Sequence, residues 1–225
     1  MSTTPFQVAL WIELLAAGLG GLQGALFAAG ERHRRIDVLG VVVIGLAVSL
    51  GGSLLRDIVL DQRPVVIWQN WYLVVAAGSA ILGMLLYPLL ARADWLITVL
   101  DALVMGVFGA IGASKALSLG VSEAGALVVG VIAAIGGGML RDVILNLPIS
   151  FLQVGTLYAV AAGAGAGMLI VLDRFGVPIM VAGLVCVAVT AAVRLAAVFF
   201  GWSFPEQRPV RRRRPKDPSD ASLLP

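Results

Sequence analysis

The chain has 225 residues, 60% of them hydrophobic and 13% charged, with a formal net charge of +3. Soluble domains carry roughly 45–50% apolar and about 25% charged residues, so this composition excludes a water-soluble globule and points to an all-α integral membrane protein. One cysteine and one histidine exclude a disulfide framework and a Cys/His metal site; with no Ser-His-Asp set and no phosphate-cradling loop, neither an enzyme nor a cofactor is expected.

Seven hydrophobic stretches are long enough to cross a bilayer, which takes about 20 apolar residues. The first runs from about Phe6 to Ala29. No Lys or Arg precedes Arg32 and Glu13 interrupts the apolar run, so it is not read as a cleaved signal peptide. The second runs from Val38 to about Leu60, the third from Val65 to Leu90, the fourth from Trp95 to Leu117 and the fifth from Ala124 to Leu145. The sixth covers Phe151 to Leu172 and the seventh Val177 to Trp202. Trp68, Trp71, Tyr72, Tyr87, Trp95 and Trp202 lie near span ends, where interfacial anchors belong. From Pro205 the chain turns into a Pro-, Arg- and Asp-rich tail, residues 205–225, expected to be disordered.

Basic residues set the orientation. The first loop holds Arg32, His33, Arg34 and Arg35, and the tail holds Arg208, Arg211–Arg214 and Lys216. With seven spans these clusters share one side, so both are read as cytoplasmic, with the N-terminus outside. The tail's cations fit the positive-inside rule and contact with anionic lipid heads rather than nucleic acid.

The sequence repeats itself. Gly51-Gly52-Ser53-Leu54-Leu55-Arg56-Asp57-Ile58-Val59-Leu60 returns 85 residues later as Gly136-Gly137-Gly138-Met139-Leu140-Arg141-Asp142-Val143-Ile144-Leu145, and each copy is followed by a proline, Pro64 or Pro148. Gly45 pairs with Gly130 at the same offset, and Glu13, Gly18, Gly21 and Gly24 match Asp101, Gly106, Gly109 and Gly112 at an offset of 88. The unit is three helices, residues 1–92 and again 93–174, with a seventh helix at 175–204. Because three is odd, the second copy enters from the opposite side, an inverted-topology repeat of the kind common in transport proteins.

Gly51 lies about 13 residues into its span, roughly 20 Å at 1.5 Å per residue and past the middle of a core about 30 Å thick. Adjacent glycines weaken a helix interior by about 1 kcal/mol each relative to Ala, which predicts a kink or unwound turn in helices 2 and 5. Two half-helix C-termini, each partially negative, would then converge near the midplane and attract a cation. Tight helix crossing is the other use of such glycines. The pairs Arg56-Asp57 and Arg141-Asp142 follow each glycine run. Neighbours on a helix point about 100° apart, so each Arg is expected to pair beyond its own neighbour; Arg56 with Asp142 and Arg141 with Asp57 is one arrangement, and interfacial helix ends are the alternative. Glu13 and Asp101 read as interfacial residues at helix starts. Lys115, whose repeat partner is Phe27, reads as a snorkelling cation or as a charge that gates the path. Arg194 reads as structural.

The doubled Gly-Gly-x-x-x-Arg-Asp with a trailing Pro, on a seven-span inverted repeat over about residues 6–202, resembles the prokaryotic branch of the trimeric intracellular cation (TRIC) channel family. That resemblance implies a homotrimer in the bacterial inner membrane, with a pore inside each protomer that conducts monovalent cations, chiefly potassium. It implies that the kinked helices 2 and 5 line the pore at Gly51, Gly52, Ser53 and Gly136, Gly137, Gly138; the first copy has Ser53 where the second has Gly138, so the two sides need not be equivalent. The wider family also includes bacterial glycine transporters, so a carrier of glycine or another small amino acid is the alternative function. The animal branch has a Lys-Glu-Val motif here; in this chain Ala116 and Leu117 follow Lys115, so animal-type gating is not implied.

Overall fold

A computed structural model describes residues 9–31, 35–90, 94–152 and 157–203. The start of the first span, the loop residues Arg32–Arg34, the junction between the two copies and the basic tail lie outside these residues. The described chain is helical and contains no strand. The helices are α1 (Leu10–Gly30), α2 (Val38–Val59), α3 (Val65–Trp68), α4 (Asn70–Leu90), α5 (Asp94–Ser118), α6 (Glu123–Ile144), α7 (Tyr158–Arg174) and α8 (Ile179–Phe200).

Among the described residues, six helices (α1, α2, α4, α5, α6 and α8) are long and apolar enough to cross a membrane. The sequence predicts seven; the sixth of those expected is shorter than foreseen. A single 3₁₀ turn, Ser150–Leu152, occupies its beginning, and α7 has 17 residues, about 25 Å at 1.5 Å per residue. The third expected span is likewise divided, because Gln69 is extended (φ −122°, ψ 108°) between α3 and α4. The outward surface is apolar: Leu85, Leu89, Leu184 and Phe199 are all more than 60% exposed, the pattern of helices solvated by lipid.

Residues 85 apart carry the same local chemistry. The side chain of Asp37 caps α2 by accepting from the Gly40 N–H, and Ser122 caps α6 by accepting from Gly125. At the far ends, Asp61 and Asn146 adopt left-handed backbone with φ 51° and 46°, which Asp and Asn tolerate better than most residues. Gln62 N–H donates to the Asp57 carbonyl and Leu147 N–H to the Asp142 carbonyl, each at 2.8 Å, so both helices close with the same Schellman-type stop.

α1 packs on α4 and α2, and α5 packs on α6 and α8. The two groups meet chiefly where α2 crosses α6. A Cβ added to Gly51 would lie 3.3 Å from Gly137 Cα, and one on Gly136 would lie 3.2 Å from Gly52 Cα. One on Gly52 would overlap the Ala133 carbonyl oxygen and one on Gly137 that of Val48. Leu140 covers Gly51 as Leu55 covers Gly136. Each of these contacts recurs at the 85-residue offset, so a local two-fold relates the two helices at their crossing.

The expected unwound turn is absent. Both helices run without interruption through Gly51-Gly52-Ser53 and Gly136-Gly137-Gly138. Close packing supplies the reason: with no Cβ, the backbones approach to contact distance, and the gain in dispersion offsets the weak helix propensity of glycine. The converging half-helix ends foreseen from the sequence are therefore not present, since the carbonyls there remain bonded within their helices.

Gly137→Ala is expected to destabilise the detergent-solubilised protein by about 1–3 kcal/mol through overpacking. Gly78→Ala, where a Cβ meets nothing within 4 Å, should be neutral or slightly stabilising. Thermal unfolding of the two variants side by side checks this, and equal melting temperatures would contradict the packing account.

Candidate ion pathway

α1 and α5 run antiparallel, and a polar cleft sits at each end of their contact. Glu13 and Ile111 line one cleft; Phe27 and Thr98 line the other. The glycine crossing of α2 and α6 lies between them.

In the first cleft, Glu13 of α1 accepts a short hydrogen bond from the Tyr72 hydroxyl of α4, and Arg56 Nη1 approaches its other oxygen at 3.5 Å. Arg56 Nε donates to Asp57 Oδ1 at 2.7 Å, and Lys115 Nζ reaches the same oxygen at 2.8 Å. The second Asp57 oxygen accepts from the Val65 N–H at 3.2 Å. In the second cleft, Asp101 Oδ1 accepts from the Tyr158 hydroxyl and from Gln23 Nε2, both at 3.1 Å, and Arg194 Nη2 lies 3.7 Å from Oδ2. Arg141 pairs with Asp142 at 2.8 Å, and Asp142 accepts from the Ser150 N–H at 2.8 Å.

The clefts thus share a plan: an acid from the first helix of each copy, a tyrosine, and an Arg-Asp pair whose Asp tethers the chain leaving the helix. They differ in what is added. Lys115 joins the Arg56-Asp57 pair beside the first cleft, whereas at the equivalent place in the second the Phe27 ring lies 3.9 Å under the Arg141 guanidinium. Arg194 enters the second from α8, over the Tyr158 ring at 4.7 Å. Each cleft holds two acids and two cations. The second encloses about 150 Å³ and the first about 10 Å³.

Several sequence expectations change. Each Arg pairs with its own neighbouring Asp and not with the other copy's, because the long guanidinium arm spans the 100° between adjacent positions, while Arg56 also reaches beyond its neighbour to Glu13 at 3.5 Å. Glu13 and Asp101 face the clefts with 13% and 15% side-chain exposure instead of marking an interface. Tyr72 is 3% exposed and holds Glu13, so it is not an interfacial anchor, unlike Trp68, Trp71, Trp95 and Trp202, which are at least 50% exposed. Lys115 turns inward to Asp57 and does not snorkel. Arg194 joins the second cleft.

The glycines divide in role. Gly51, Gly52, Gly136 and Gly137 are buried in the crossing. Ser53 lines the first cleft, and its repeat partner Gly138 faces the second, where a Cβ would lie 3.1 Å from the Tyr158 hydroxyl. Tyr158, Gln23 and Phe108 escaped the sequence reading, and Tyr72 entered it only as an interfacial anchor. The tyrosines stand 86 residues apart, just beyond the aligned segment, and that spacing was the available signal.

Removing Asp57 strands Arg56 and Lys115 in a buried site, which costs about 3–5 kcal/mol. Asp57→Ala is therefore expected to be severely destabilised in detergent. Arg174→Ala, which breaks the exposed pair with Glu123, should cost at most about 1 kcal/mol; comparable losses for the two would overturn the assignment of Asp57 as the local keystone.

A family model described as Glycine transporter matches residues 10–88 and 98–174. The UPF0126 inner membrane protein YadS of Escherichia coli K12 is 33% identical over 195 residues, covering 84% of this chain and 90% of that protein. A UPF0126 membrane protein of Vibrio cholerae is 32% identical over 196 residues, covering 86% and 80%. Among solved structures, the TRIC trimeric intracellular cation channel orthologue from Rhodobacter sphaeroides superposes with a TM-score of 0.78 at 27% identity, covering 86% of this chain and 98% of that one. A second structure, described as the basis for conductance through TRIC cation channels, gives 0.76 at 26% identity, covering 90% and 98%.

Proposed function

We propose that this chain, which belongs to the Glycine transporter family and has the TRIC channel fold, conducts monovalent cations, potassium foremost, along a path inside each protomer, a reading supported by its likeness to the TRIC cation channels. The observation that carries the reading is the pair of equivalent polar clefts at opposite ends of the α1–α5 contact, on either side of the α2–α6 crossing. Two polar clefts at opposite ends of one apolar bundle, separated by a short stretch of packed side chains, favour a route across a membrane over a scaffold.

The path runs beside the glycine crossing, along Ser53 in the first cleft and Gly138 in the second. Gly51, Gly52, Gly136 and Gly137 hold the two helices together and set the width available next to them. Asp57 and Asp142 are each tied up by an Arg at 2.8 Å or less, whereas the nearest cations to Glu13 and Asp101 stand off at 3.5 and 3.7 Å. Glu13 and Asp101 are therefore the carboxylates that receive a passing cation. Lys115 and the Arg-Asp pairs Arg56-Asp57 and Arg141-Asp142 act on gating: breaking the 2.8 Å Lys115–Asp57 bridge changes the charge a cation meets in the first cleft.

The inner-membrane relative and the apolar spans support a multi-pass protein of the bacterial inner membrane. The TRIC neighbours support a homotrimer. With α7 counted as a spanning helix, the chain has seven spans, two inverted three-helix halves at 1–92 and 93–174, and a cytoplasmic tail with the N-terminus outside; the family model's two matched segments support that division. Carriage of glycine is the second reading. The second cleft presents charges of both signs, Asp101 beside Arg141 and Arg194, which suit a zwitterion's two poles.

Purified protein in liposomes is expected to release potassium faster than protein-free vesicles and to give single-channel currents. Glu13→Gln and Asp101→Asn should each lower potassium flux about tenfold, the scale of losing one well-placed charge. Saturable uptake of labelled glycine without currents would overturn the channel reading in favour of the carrier.

A further inference from the structure

The two clefts do not meet. Along α1, Ala17 belongs to the first and Gln23 to the second, a separation of six residues or about 9 Å of helix rise. The α2–α6 crossing cannot open between them without pulling apart backbones already in contact. Between α1, α2 and α5 an aromatic side chain bridges the remaining space. Phe108 of α5 is 6% exposed and borders the first cleft. Its Cε2 would lie 3.3 Å from a Cβ on Gly20 of α1, and its Cγ 3.7 Å from one on Gly52 of α2. Ala16, Val104 and Ile111 pack with it into an apolar collar.

We propose that the Phe108 ring, wedged between Gly20 and Gly52, is the barrier between the two clefts and sets the rate at which an ion passes from one to the other. This rests on the channel reading above. At the 88-residue offset, Phe108 and Gly20 are each other's counterparts. Two rings facing one another would overlap, and two glycines would leave the clefts joined; one ring opposite one glycine closes the gap with a side chain that can turn. Apolar constrictions stop ions by excluding water, with no charge needed. The barrier therefore comes from the second copy alone, which makes the path asymmetric at its centre even though its two mouths share a plan.

The experiment uses full-length protein in potassium-loaded liposomes. Phe108→Ala is expected to raise potassium flux about tenfold, Phe108→Leu to give an intermediate rise, and Phe108→Trp to fall below the parent. In parallel, Gln23→Cys reports whether the clefts are joined. A membrane-impermeant thiol reagent added on the Glu13 side should label it about tenfold faster with Phe108→Ala or Phe108→Leu than with Phe108 intact. The native Cys186 is buried. If Phe108→Ala fails to elute as a single species, Phe108→Leu carries both measurements. Unchanged labelling, or unchanged flux in a parent protein that conducts, overturns the proposal. Faster labelling with no potassium flux in any variant leaves the barrier standing and removes the channel reading instead.

Discussion

The rest of the molecule hangs on the backbone contact between α2 and α6. Four glycines, Gly51, Gly52, Gly136 and Gly137, let two helices touch at the centre of the bundle, where any side chain would meet a carbonyl oxygen or a Cα. In a bilayer the hydrophobic effect does not press helices together, so close packing of small residues is what holds them. With that crossing fixed, α1 and α4 lie on one side and α5, α7 and α8 on the other, and the ends of α2 and α6 point to opposite ends of the bundle. The positions of both clefts follow.

At each of those ends the same device secures a charged site in apolar surroundings. The Arg takes one oxygen of the neighbouring Asp, the other oxygen accepts a backbone N–H from the chain eight residues on, and the left-handed residue between them turns the chain back. A buried ion pair is tolerable only when its remaining hydrogen-bonding capacity is met, and here the same bonds also fix the exit of the helix. The Arg-Asp dipeptide is thus a structural clasp first, and its position beside the cleft follows from where the helix has to stop.

Between the clefts the two-fold correspondence fails in an ordered way. Lys115 stands opposite Phe27, Ser53 opposite Gly138, and Phe108 opposite Gly20. Near-identical sequence is kept where helices α2 and α6 touch and stop. It diverges on α1 and α5, whose side chains face the interior between the clefts. Packing constrains the first set on both sides at once, whereas a side chain facing the interior between the clefts has no symmetric partner to match.

The sequence by itself determined the membrane setting, the apolar spans to within one among the described residues, the repeat and its offset, and the paired segments Gly51–Asp57 and Gly136–Asp142. Those are local properties: hydropathy over about 20 residues, and a ten-residue pattern that occurs twice. Only the tertiary structure decided that the glycines join helices and do not break them, that each Arg binds its own Asp, and that Glu13 meets Tyr72 at one end while Asp101 meets Tyr158 and Arg194 at the other. Helix propensity speaks for a glycine in isolation; the partner backbone that compensates for it lies 85 residues away. Likewise, the face of a mostly apolar helix that turns inward depends on its neighbours, because in lipid either side can be hydrophobic.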